Sequence, residues 1–520
     1  MITAHRFFTA LSLCLLAAAS RYAPAYQERE PGGPDHLEQP DMAAVPPEAL
    51  PTGRTPARKA VRGAFTSVQV NVDAQGKNIV GDAANEPSIA VDPNNPMRMS
   101  IGWRQFDSIA SNFRQAGWGF SEDGGASWTF PSVIEPGVFR SDPVLDVDAE
   151  GNFYYNSLES DFACTVFRSD NGGISWDGGT PAQGGDKQWM AIDRTHGMGH
   201  GNIYSNWNIQ FTTCGGDFTF SNNAGLSFSS CLNIPGEPSR GTVTVGPDGA
   251  VYVAGSEMFL VRSTTLQDPL EPPSFDLVQD VAFGGQFVSR LGPNPGGLLG
   301  QVYVAADHSA GATAGNLYML ASVDPPGGDP LDIMFIRSQD NGVSWSAPVR
   351  INDDPLAGNN WQWFGTLSVA PGGRIDVVWN DTRANPGTVL SELYYAWSGD
   401  GGQTWSPNVA LSPVFDPHLG WPQQLKLGDY YHMVSDDGGA DLAYAATFNG
   451  EQDVYYLRIP HPLPNLCPED LNGDGQVTGT DLGLAYAAWG GAGPLADLNG
   501  NERVEILDCL AVLGRVGACP

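Results

Sequence analysis

The sequence predicts an all-β fold in which many short strands are joined by tight turns. Glycine and proline supply 64 and 40 of the 520 residues, and only 16% of the chain is charged. Short β-type runs alternate with Gly, Asp and Asn turns from residue 63 to residue 459, and one turn pattern recurs five times along this stretch. Many short strands, frequent turns and a repeated unit are typical of all-β proteins built from similar sheets.

The repeated turn has the pattern Ser-x-Asp/Asn-x-Gly-x-x-aromatic, and its copies begin at Ser121, Ser169, Ser221, Ser338 and Ser398. Successive starts are 48, 52, 117 and 60 residues apart, so the long interval predicts a degenerate copy near Arg262-Ser263. The Asp or Asn side chain is expected to accept hydrogen bonds from turn amides, and the Gly to adopt a positive φ. The aromatic side chain then packs the turn against the strands. We therefore expect the motif to be structural rather than catalytic.

The repeated turn resembles the Asp-box (BNR) repeat of the sialidase superfamily, and the resemblance covers roughly residues 63–459. It implies a β-propeller in which each box joins the third and fourth strands of a blade. First strands are then expected near Pro87, Pro143, Trp189, Gly241, Phe287, Phe364 and Tyr430. The last blade has only three strands of its own, and the strand at 65–72 is expected to supply the fourth and close the ring. The fold is thus a six- or seven-bladed propeller, with seven favoured over the six of true sialidases.

The rim at which the first strands begin is the expected place for chemistry. The sialidase resemblance implies three arginines on a substrate carboxylate, a Tyr nucleophile assisted by Glu, and an Asp acid/base. Trp offers a flat face to a sugar and Arg a fork to a carboxylate, and glycosidic cleavage usually needs two carboxyl groups. The candidate catalytic groups are Tyr430, Tyr431, Asp142 and Glu237. The candidate substrate contacts are Arg140, Arg240, Arg290, Trp363 and Arg383. Other rim residues are Glu86, Arg104, Lys187, Trp189, Trp361 and Asp429.

One feature of the sialidase pattern is missing from this chain. Where the family has an early Arg-Ile-Pro signature, residues 85–88 read Asn-Glu-Pro-Ser. Two functions therefore stay open for a secreted carbohydrate-active protein. One is a sialidase-like glycoside hydrolase that acts on a glycan or polysaccharide. The other is a non-catalytic propeller that binds glycan or protein at the cell surface.

Two twelve-residue loops near the C-terminus place oxygen-bearing residues at the spacing of EF-hand calcium loops. The first loop, 470–481, offers Asp470, Asn472, Asp474, Gln476 (through its carbonyl), Thr478 and Asp481. The second begins 27 residues later and offers Asp497, Asn499, Asn501, Arg503 (at the position of Gln476), Glu505 and Asp508. An apolar run that predicts a short helix follows each loop. The sequence therefore predicts a calcium (Ca²⁺) site in each loop, with the first binding more tightly.

The two loop–helix repeats resemble a type I dockerin domain over roughly residues 467–520. The resemblance implies a small α-helical, calcium-binding module that attaches the protein to a cohesin-type partner. The predicted domains are then a signal peptide at 1–25, a Pro-rich linker at 26–62, the propeller at 63–460 and the dockerin-like module at 461–520.

Charge, cysteines and the N-terminus define the expected environment. The net charge of −32 disfavours binding to phosphate backbones, so we expect no nucleic-acid partner. The signal peptide, and the lack of a later apolar run of membrane length, predict a secreted protein without a membrane span. Disulfides are then permitted, and Cys214–Cys231 and Cys467–Cys519 are the expected pairs.

Overall fold

A computed structural model of the protein describes residues 43–356, 358–463, 469, 471, 476–491, 496, 498 and 503–518. The predicted signal peptide lies outside these residues. Within the described residues, the first regular element is a 3₁₀ turn at Pro47–Ala49, inside the segment that the sequence assigns to the linker. It continues with β1 (Arg54–Pro56), β2 (Lys59–Arg62), β3 (Phe65–Gln69) and β4 (Lys77–Ile79).

Seven antiparallel sheets follow one another along the chain as the blades of a propeller. Blade 1 contains β5 (Ala83–Val91), β6 (Met99–Phe106), β7 (Gln115–Ser121) and β8 (Thr129–Ile134). Blade 2 contains β9 (Ser141–Val147), β10 (Phe153–Leu158), β11 (Cys164–Ser169) and β12 (Thr180–Pro181), and blade 3 contains β13 (Trp189–Ile192), β14 (Ile203–Asn206) and β15 (Phe218–Ser221). Blade 4 contains β16 (Val243–Val245), β17 (Val251–Gly255), β18 (Phe259–Ser263) and β19 (Leu277–Asp280).

The remaining blades complete the ring. Blade 5 contains β20 (Tyr303–Ala306), β21 (Leu317–Val323), β22 (Asp332–Ser338) and β23 (Val349–Arg350), and blade 6 contains β24 (Gln362–Val369), β25 (Ile375–Asp381), β26 (Glu392–Ser398) and β27 (Val409–Ala410). Blade 7 contains β28 (His432–Asp436), β29 (Gly439–Ala446) and β30 (Asp453–Pro460), joined by β2 and β3. Each first strand contacts the first strand of the next blade, and β28 contacts β5, so these strands surround a central channel.

The ring is closed by the N-terminal strand, as the sequence predicts. In blade 7 the strand order is β2-β3-β30-β29-β28, and Val68 and Gln69 pair with Tyr456 and Tyr455. The prediction of seven blades is therefore confirmed. A sheet that takes strands from both ends of the chain leaves no unpaired inner edge.

One predicted first strand is wrong. The sequence places the start of blade 5 near Phe287, whereas its first strand is β20, at Tyr303–Ala306. Phe287 belongs to a long loop, where it packs in a hydrophobic cluster with Phe283 and Leu298. Its neighbour Gln286 forms only an isolated bridge with Asp324. The apolar residues near 287 reflect the burial of this loop and not a strand.

The repeated turns follow the third strands on one face of the propeller, and in blades 1, 2, 5 and 6 they connect the third strand to the fourth. In the first, Ser127 N and Oγ donate to the Asp123 carboxylate at 2.9 and 2.6 Å, and Gly125 N donates to Ser121 Oγ at 2.9 Å. Gly125 has φ 82°, and a Cβ there would lie 2.1 Å from the ring of Tyr456 in blade 7. The glycine is therefore required both by the turn and by the close contact between blades.

Outside the propeller sheets, the structure contains one of the predicted disulfides and two short helices. Cys214 and Cys231 are bonded, whereas Cys467 and Cys519 lie outside the described residues. The helices are α1 (Gly479–Ala487) and α2 (Ile506–Gly514), and β31 (Gln476–Val477) pairs with β32 (Gly517–Ala518). Neither helix has the length and apolar character needed to cross a bilayer, and the same holds for the rest of the described chain.

Candidate functional site

A residue in the left-handed region stands close to the start of the first strand in several blades. Glu86, Asp142, Lys187, Arg240 and Phe364 have φ values of 51°, 46°, 59°, 55° and 58°. Such a conformation costs an L-residue on the order of 1–3 kcal/mol and persists only where the surroundings fix it. The register of β5 with β6 shifts at this point, between Asn85 and Ser88. The sequence-predicted rim therefore exists as a repeated irregularity at the end of the channel away from the repeated turns.

Four acids and three bases meet in a buried ionic cluster at this rim. Lys187 Nζ lies 3.1, 2.9 and 3.2 Å from carboxylate oxygens of Asp142, Asp186 and Asp429. Lys426 Nζ lies 2.7 Å from Asp429 and 3.4 Å from Glu86. Arg104 lies 3.1 Å from Glu86 on its other side. The members come from blades 1, 2 and 7 and the loops between blades, so the cluster ties distant parts of the ring together.

Two acids of the ionic cluster respond to this environment in opposite ways. Burial raises the pKa of Glu86 well above its usual value, against the opposing effect of Arg104 and Lys426. Burial acts on Asp429 in the same direction, but Lys426, Lys187 and Arg104 together hold its pKa well below the usual value. The pair is thus arranged to keep a proton on Glu86 and a negative charge on Asp429.

Two long loops cover the ionic cluster, and we call them the cap (residues 290–298 and 417–428). Gly296 N donates to Leu425 O at 2.7 Å, and the Asn294 amide bonds Leu427 N and Gly428 O, each at 2.8 Å. A Cβ on Gly428 would lie 2.7 Å from Cγ of Glu86, so this loop needs a glycine to approach the cluster. Under the cap, Glu86 and Asp142 are 0% exposed. The arrangement excludes bulk water from the charges.

Below the ionic cluster, aromatic rings fill the channel. Trp189 packs edge-on against Tyr303, Tyr430 and His432, with ring centroids 5.8, 5.5 and 5.3 Å apart. Tyr430 Oη donates to the carbonyl of Pro143 at 2.8 Å, and Tyr303 Oη donates to the carbonyl of Tyr431. Burial lowers the pKa of His432 to about 4. These rings from blades 3, 5 and 7 form a plug rather than an open channel.

The two candidate nucleophiles are part of this packing. Tyr430 and Tyr431 are 1% and 0% exposed, and Tyr431 Oη donates to Ala445 O at 2.6 Å while it accepts from the Asn380 amide. Burial raises the pKa of both phenols above the usual value. Asp142, the candidate acid or base, lies in the ionic cluster. Glu237, the other candidate, is exposed with φ 56°. Their catalytic roles stay predictions.

The candidate substrate contacts are spread around the ring. Arg140 is buried, pairs with Glu135 and Glu159, and lies over the Phe167 ring at 5.0 Å. Trp363 is 0% exposed and donates to Ser391 Oγ. The other candidates, Arg240, Arg290 and Arg383, are half-buried. The roles of these side chains as substrate contacts stay predictions.

Arg383 shows how such an arginine can serve the fold. Its guanidinium lies 2.8 Å from Asp381 and 2.5 Å from Asp353, and it stacks over the Tyr394 ring at 4.4 Å. Burial lowers the pKa of Arg383, but the carboxylates have the stronger effect and raise this pKa above its usual value. The side chain therefore links the loops of blades 5 and 6.

A buried acidic triad lies next to this arginine. Asp329, Asp332 and Asp354 each place a carboxylate oxygen within 4.8 Å of the others, and this triad could hold a metal ion. Arg350 already contacts all three, at 3.3, 2.7 and 2.9 Å. The guanidinium of Arg350 thus already supplies a positive charge to the three carboxylates.

The C-terminal helices carry part of each predicted calcium loop. Asp481 is buried, and its two oxygens accept from Leu471 N at 2.9 Å and Thr478 N at 2.8 Å. Asp508 accepts from Leu498 N and Glu505 N in the same way, each at 2.8 Å. The candidate ligands that lie outside the described residues are Asp470, Asn472, Asp474, Asp497, Asn499 and Asn501. The described ones are Gln476, Thr478, Asp481, Arg503, Glu505 and Asp508, and their role as calcium ligands stays a prediction.

Two members of the ionic cluster have no sequence signal. Lys426 stands in an inter-blade loop, apart from the positions where first strands begin, and only the contact between loops brings it to the rim. Asp186 directly precedes the rim residue Lys187, but no motif in the sequence marks it. The short spacing of Lys426 and Asp429 was the one available hint, and it is too common to be specific.

No protein-family model matches the chain, and no curated protein matches it in sequence. Among solved structures, the chain is similar to a protein of unknown function from Dyadobacter fermentans DSM 18053, with 14% identity, coverage of 76% of this chain and 98% of that chain, and a TM-score of 0.44. It is also similar to a virginiamycin B lyase from Staphylococcus aureus, with 11% identity, coverage of 76% and 98%, and a TM-score of 0.41. A sialidase from Trypanosoma rangeli shows 13% identity, coverage of 77% and 59%, and a TM-score of 0.35. All three likenesses are distant, and no functional assignment is taken from them.

Proposed function

We propose that this protein is a secreted, non-catalytic propeller that binds a glycan on its capped face and is held on a protein partner by its calcium-binding C-terminal module. The observation that carries the proposal is the burial of the candidate catalytic groups. Tyr430, Tyr431 and Asp142 are 1%, 0% and 0% exposed. A nucleophile or acid must reach the bond that it cleaves. Binding without cleavage therefore fits this geometry better.

The outer surface of the cap supports glycan binding. Leu291 and Leu425 are 47% and 60% exposed there, and the ring of Trp361 packs against Gly292. Arg290 on the same loop adds a guanidinium. Apolar and aromatic surface with a few polar groups is the usual composition of a small-ligand site.

The outer face of the C-terminal helices supports docking to a protein. Ile506, Leu510 and Leu513 stand on one side of α2 and are 56%, 51% and 51% exposed, and Tyr486 on α1 is 71% exposed. A groove of roughly 470 Å³ runs between the two helices. Contiguous exposed apolar surface of this kind usually marks an interaction site. The dockerin resemblance implies a cohesin-type domain as the partner.

Docking is tested with the full chain, calcium and a panel of cohesin domains. We expect Ile506→Glu to weaken binding at least tenfold, because it places a charge in an apolar interface, and a chelator to abolish binding. The matched control is Leu226→Glu, on a repeated turn of the propeller and 75% exposed, which should change nothing. Equal binding by both variants, or binding that survives chelation, would refute this part of the proposal.

Glycan binding is tested on an array of sialosides and plant polysaccharides, with Leu425→Asp and Trp361→Ala as cap variants. Loss of binding in both variants is the expected result. A glycan that binds the wild type and both variants alike would place the site elsewhere.

Hydrolysis is a second candidate function, and one observation favours it. Glu86 and Asp429, whose pKa values shift in opposite directions, have the character of a general acid paired with a carboxylate. Reaction would require the cap to open. Sugar release from the same panel, compared between the wild type and a Tyr430→Phe/Tyr431→Phe double variant, decides between the two functions. Release by the wild type that the double variant lacks would establish hydrolysis and overturn the non-catalytic proposal.

A further inference from the structure

A second group of buried polar side chains lies where the ring closes. Asp82 precedes β5 of blade 1, Asp453 begins β30 of blade 7, and Asn71 follows the N-terminal strand β3. They are 1%, 0% and 0% exposed. Three chain segments that close the propeller therefore meet at these three side chains.

Amide groups hold the two acids in place. Asn71 Nδ2 donates to Asp453 Oδ1 at 2.7 Å, and Gln105 Nε2 donates to Asp82 Oδ2 at 2.9 Å. The same Asn71 amide is a further donor to the Asp82 carboxyl, so it lies between the two acids. Its own oxygen accepts from Val454 N at 3.0 Å. Asn71 thus ties one acid to the other through its N–H groups.

One oxygen of each acid is left without a donor. Asp82 Oδ1 and Asp453 Oδ2 are buried and accept no hydrogen bond from any described residue. The charged groups that act most strongly on the pair are acidic, since Asp453 acts on Asp82 and Glu451 acts on both. An unpaired buried charge is strongly unfavourable, so acids in this setting hold protons.

The other titratable or charged side chains around the ring closure are Tyr444, Tyr455, Arg58, Glu451, Arg104 and Lys426. Burial raises the pKa of the two phenols above the usual value, so both are neutral. Arg58 acts on the Tyr455 phenol. Arg104 and Lys426 lie 3.1 and 3.4 Å from Glu86 in the ionic cluster. Glu451 accepts from Gly81 N at 2.6 Å and adds negative charge.

The pair therefore makes the ring closure sensitive to pH. Burial raises the pKa of Asp453 to about 7, and burial together with the Asp453 charge raises the pKa of Asp82 well above its usual value. In the unfolded chain both acids have a pKa of about 4. The stability that the pair contributes is thus complete below about pH 4 and is lost as the pH rises through about 7.

The N-terminal strand has few other contacts at this point. The ladder between β3 and β30 pairs Val68 with Tyr456 and Gln69 with Tyr455. Beyond it, Val70 N donates to Val454 O at 2.8 Å, and the side chain of Asn71 comes next. Charge that appears on the two acids acts directly at the end of this short ladder.

We propose that Asp82, Asp453 and Asn71 form a pH-sensitive switch that holds the N-terminal strand on blade 7 while the acids carry protons and releases it when they lose them. Two buried carboxylates that share one amide repel each other once both are charged, and opening of the ring closure lets water reach them. The switch does not depend on the proposed function.

Hydrogen–deuterium exchange of the full chain tests the switch. Between about pH 5 and about pH 8, we expect the protection factors of the β3 amides, corrected for the intrinsic exchange rate, to fall about tenfold or more. The β10 amides of blade 2 are the internal reference and should keep their protection factors. Protection of β3 that is constant with pH, or that falls no more than that of β10, would overturn the proposal.

The variant Asp82→Asn/Asp453→Asn keeps the shape of both side chains but cannot titrate. Its β3 amides should have the same protection factors at both pH values. The matched control is Asp217→Asn, which removes a buried acid of blade 3 and should leave the pH dependence of β3 unchanged. A double variant that keeps the pH dependence of the wild type would rule out the switch.

Infrared spectroscopy measures the protons themselves, because protonated carboxyl groups and carboxylates absorb at different frequencies. The spectrum of the wild type minus that of the double variant isolates the pair. We expect a protonated-carboxyl band at the lower pH that disappears over the range in which β3 loses protection. A difference spectrum that contains only carboxylate at the lower pH would show that both acids are charged, and the proposal would fail.

Discussion

The ionic cluster under the cap and the buried acids Asp82 and Asp453 at the ring closure lie on the same face of the propeller, and Asp82 is four residues before Glu86 in the chain. In the ionic cluster Glu86 and Asp429 share Lys426, with Lys187 and Arg104 on either side. At the ring closure Asp82 and Asp453 have only amide donors. Both groups are almost fully buried, so the difference between them is the source of positive charge.

The difference decides how each group depends on its surroundings. A carboxylate paired with a buried lysine has its counter-charge within the protein and loses it when the lysine is replaced. A carboxylate held by amides alone depends on a proton or an ion from solution. The first kind of site therefore responds to mutation, and the second responds to conditions.

Removal of Lys426 is the sharpest way to break the ionic cluster. Lys426→Met leaves Glu86 and Asp429 buried with one cation fewer, and we expect the free energy of unfolding to fall by about 3–5 kcal/mol. Urea denaturation monitored by tryptophan fluorescence measures the change. The matched control is Arg54→Met, whose guanidinium lies at the surface and pairs with Asp73 at 2.9 Å; it should cost about 1 kcal/mol or less. Equal losses in the two variants would contradict the role given to the cluster.

Asp217 is a single buried acid without a cation among the described residues, so the stability of the fold around it should depend on pH. It accepts from Ile234 N at 2.8 Å, its Oδ2 has no partner among described residues, and burial raises its pKa to about 7. The folded state then holds the proton more tightly than the unfolded state. The stability that this group contributes is complete below about pH 4 and is lost as the pH rises to about 7.

Asp217→Asn removes this titration and keeps an acceptor for Ile234. Between pH 4 and pH 8 the wild type should therefore lose about 3–4 kcal/mol more stability than the variant. Urea denaturation at a series of pH values measures the two curves. Parallel curves would show that Asp217 does not hold a proton at neutral pH.

The sequence predicted the scaffold well because the scaffold is repetitive and local. Each repeated turn forms its own hydrogen bonds within eight residues, so its pattern is visible wherever it occurs. The strand at 65–72 was placed correctly because the seventh blade has only three strands of its own and needs a fourth from elsewhere in the chain. The start near Phe287 failed because an apolar run in a buried loop has the composition of a strand.

The sequence predicted only those residues of the ionic cluster that lie near the start of a first strand, a position that recurs in every blade. Glu86, Asp142 and Lys187 begin first strands and could be placed on the rim, whereas Lys426 reaches them through a loop with no periodic pattern. The burial of Tyr430 depends on packing between blades 3, 5 and 7 and on a cap made from residues far apart in sequence. Such long-range contacts leave no local pattern in the chain.

Replacing Tyr430 should have the smallest effect on the free energy of unfolding, because its hydroxyl is a neutral group beside the charged cluster. Tyr430→Phe removes the hydrogen bond to Pro143 O and leaves that buried carbonyl with one donor fewer. We expect a loss of about 1 kcal/mol in the free energy of unfolding, well below the loss from Lys426→Met, because a neutral hydrogen bond contributes less than a buried ion pair. Glycan binding should not change, since the ring keeps its place against Trp189. A variant that folds with wild-type stability but loses sugar release would instead identify the phenol as a catalytic group, reached when the cap opens.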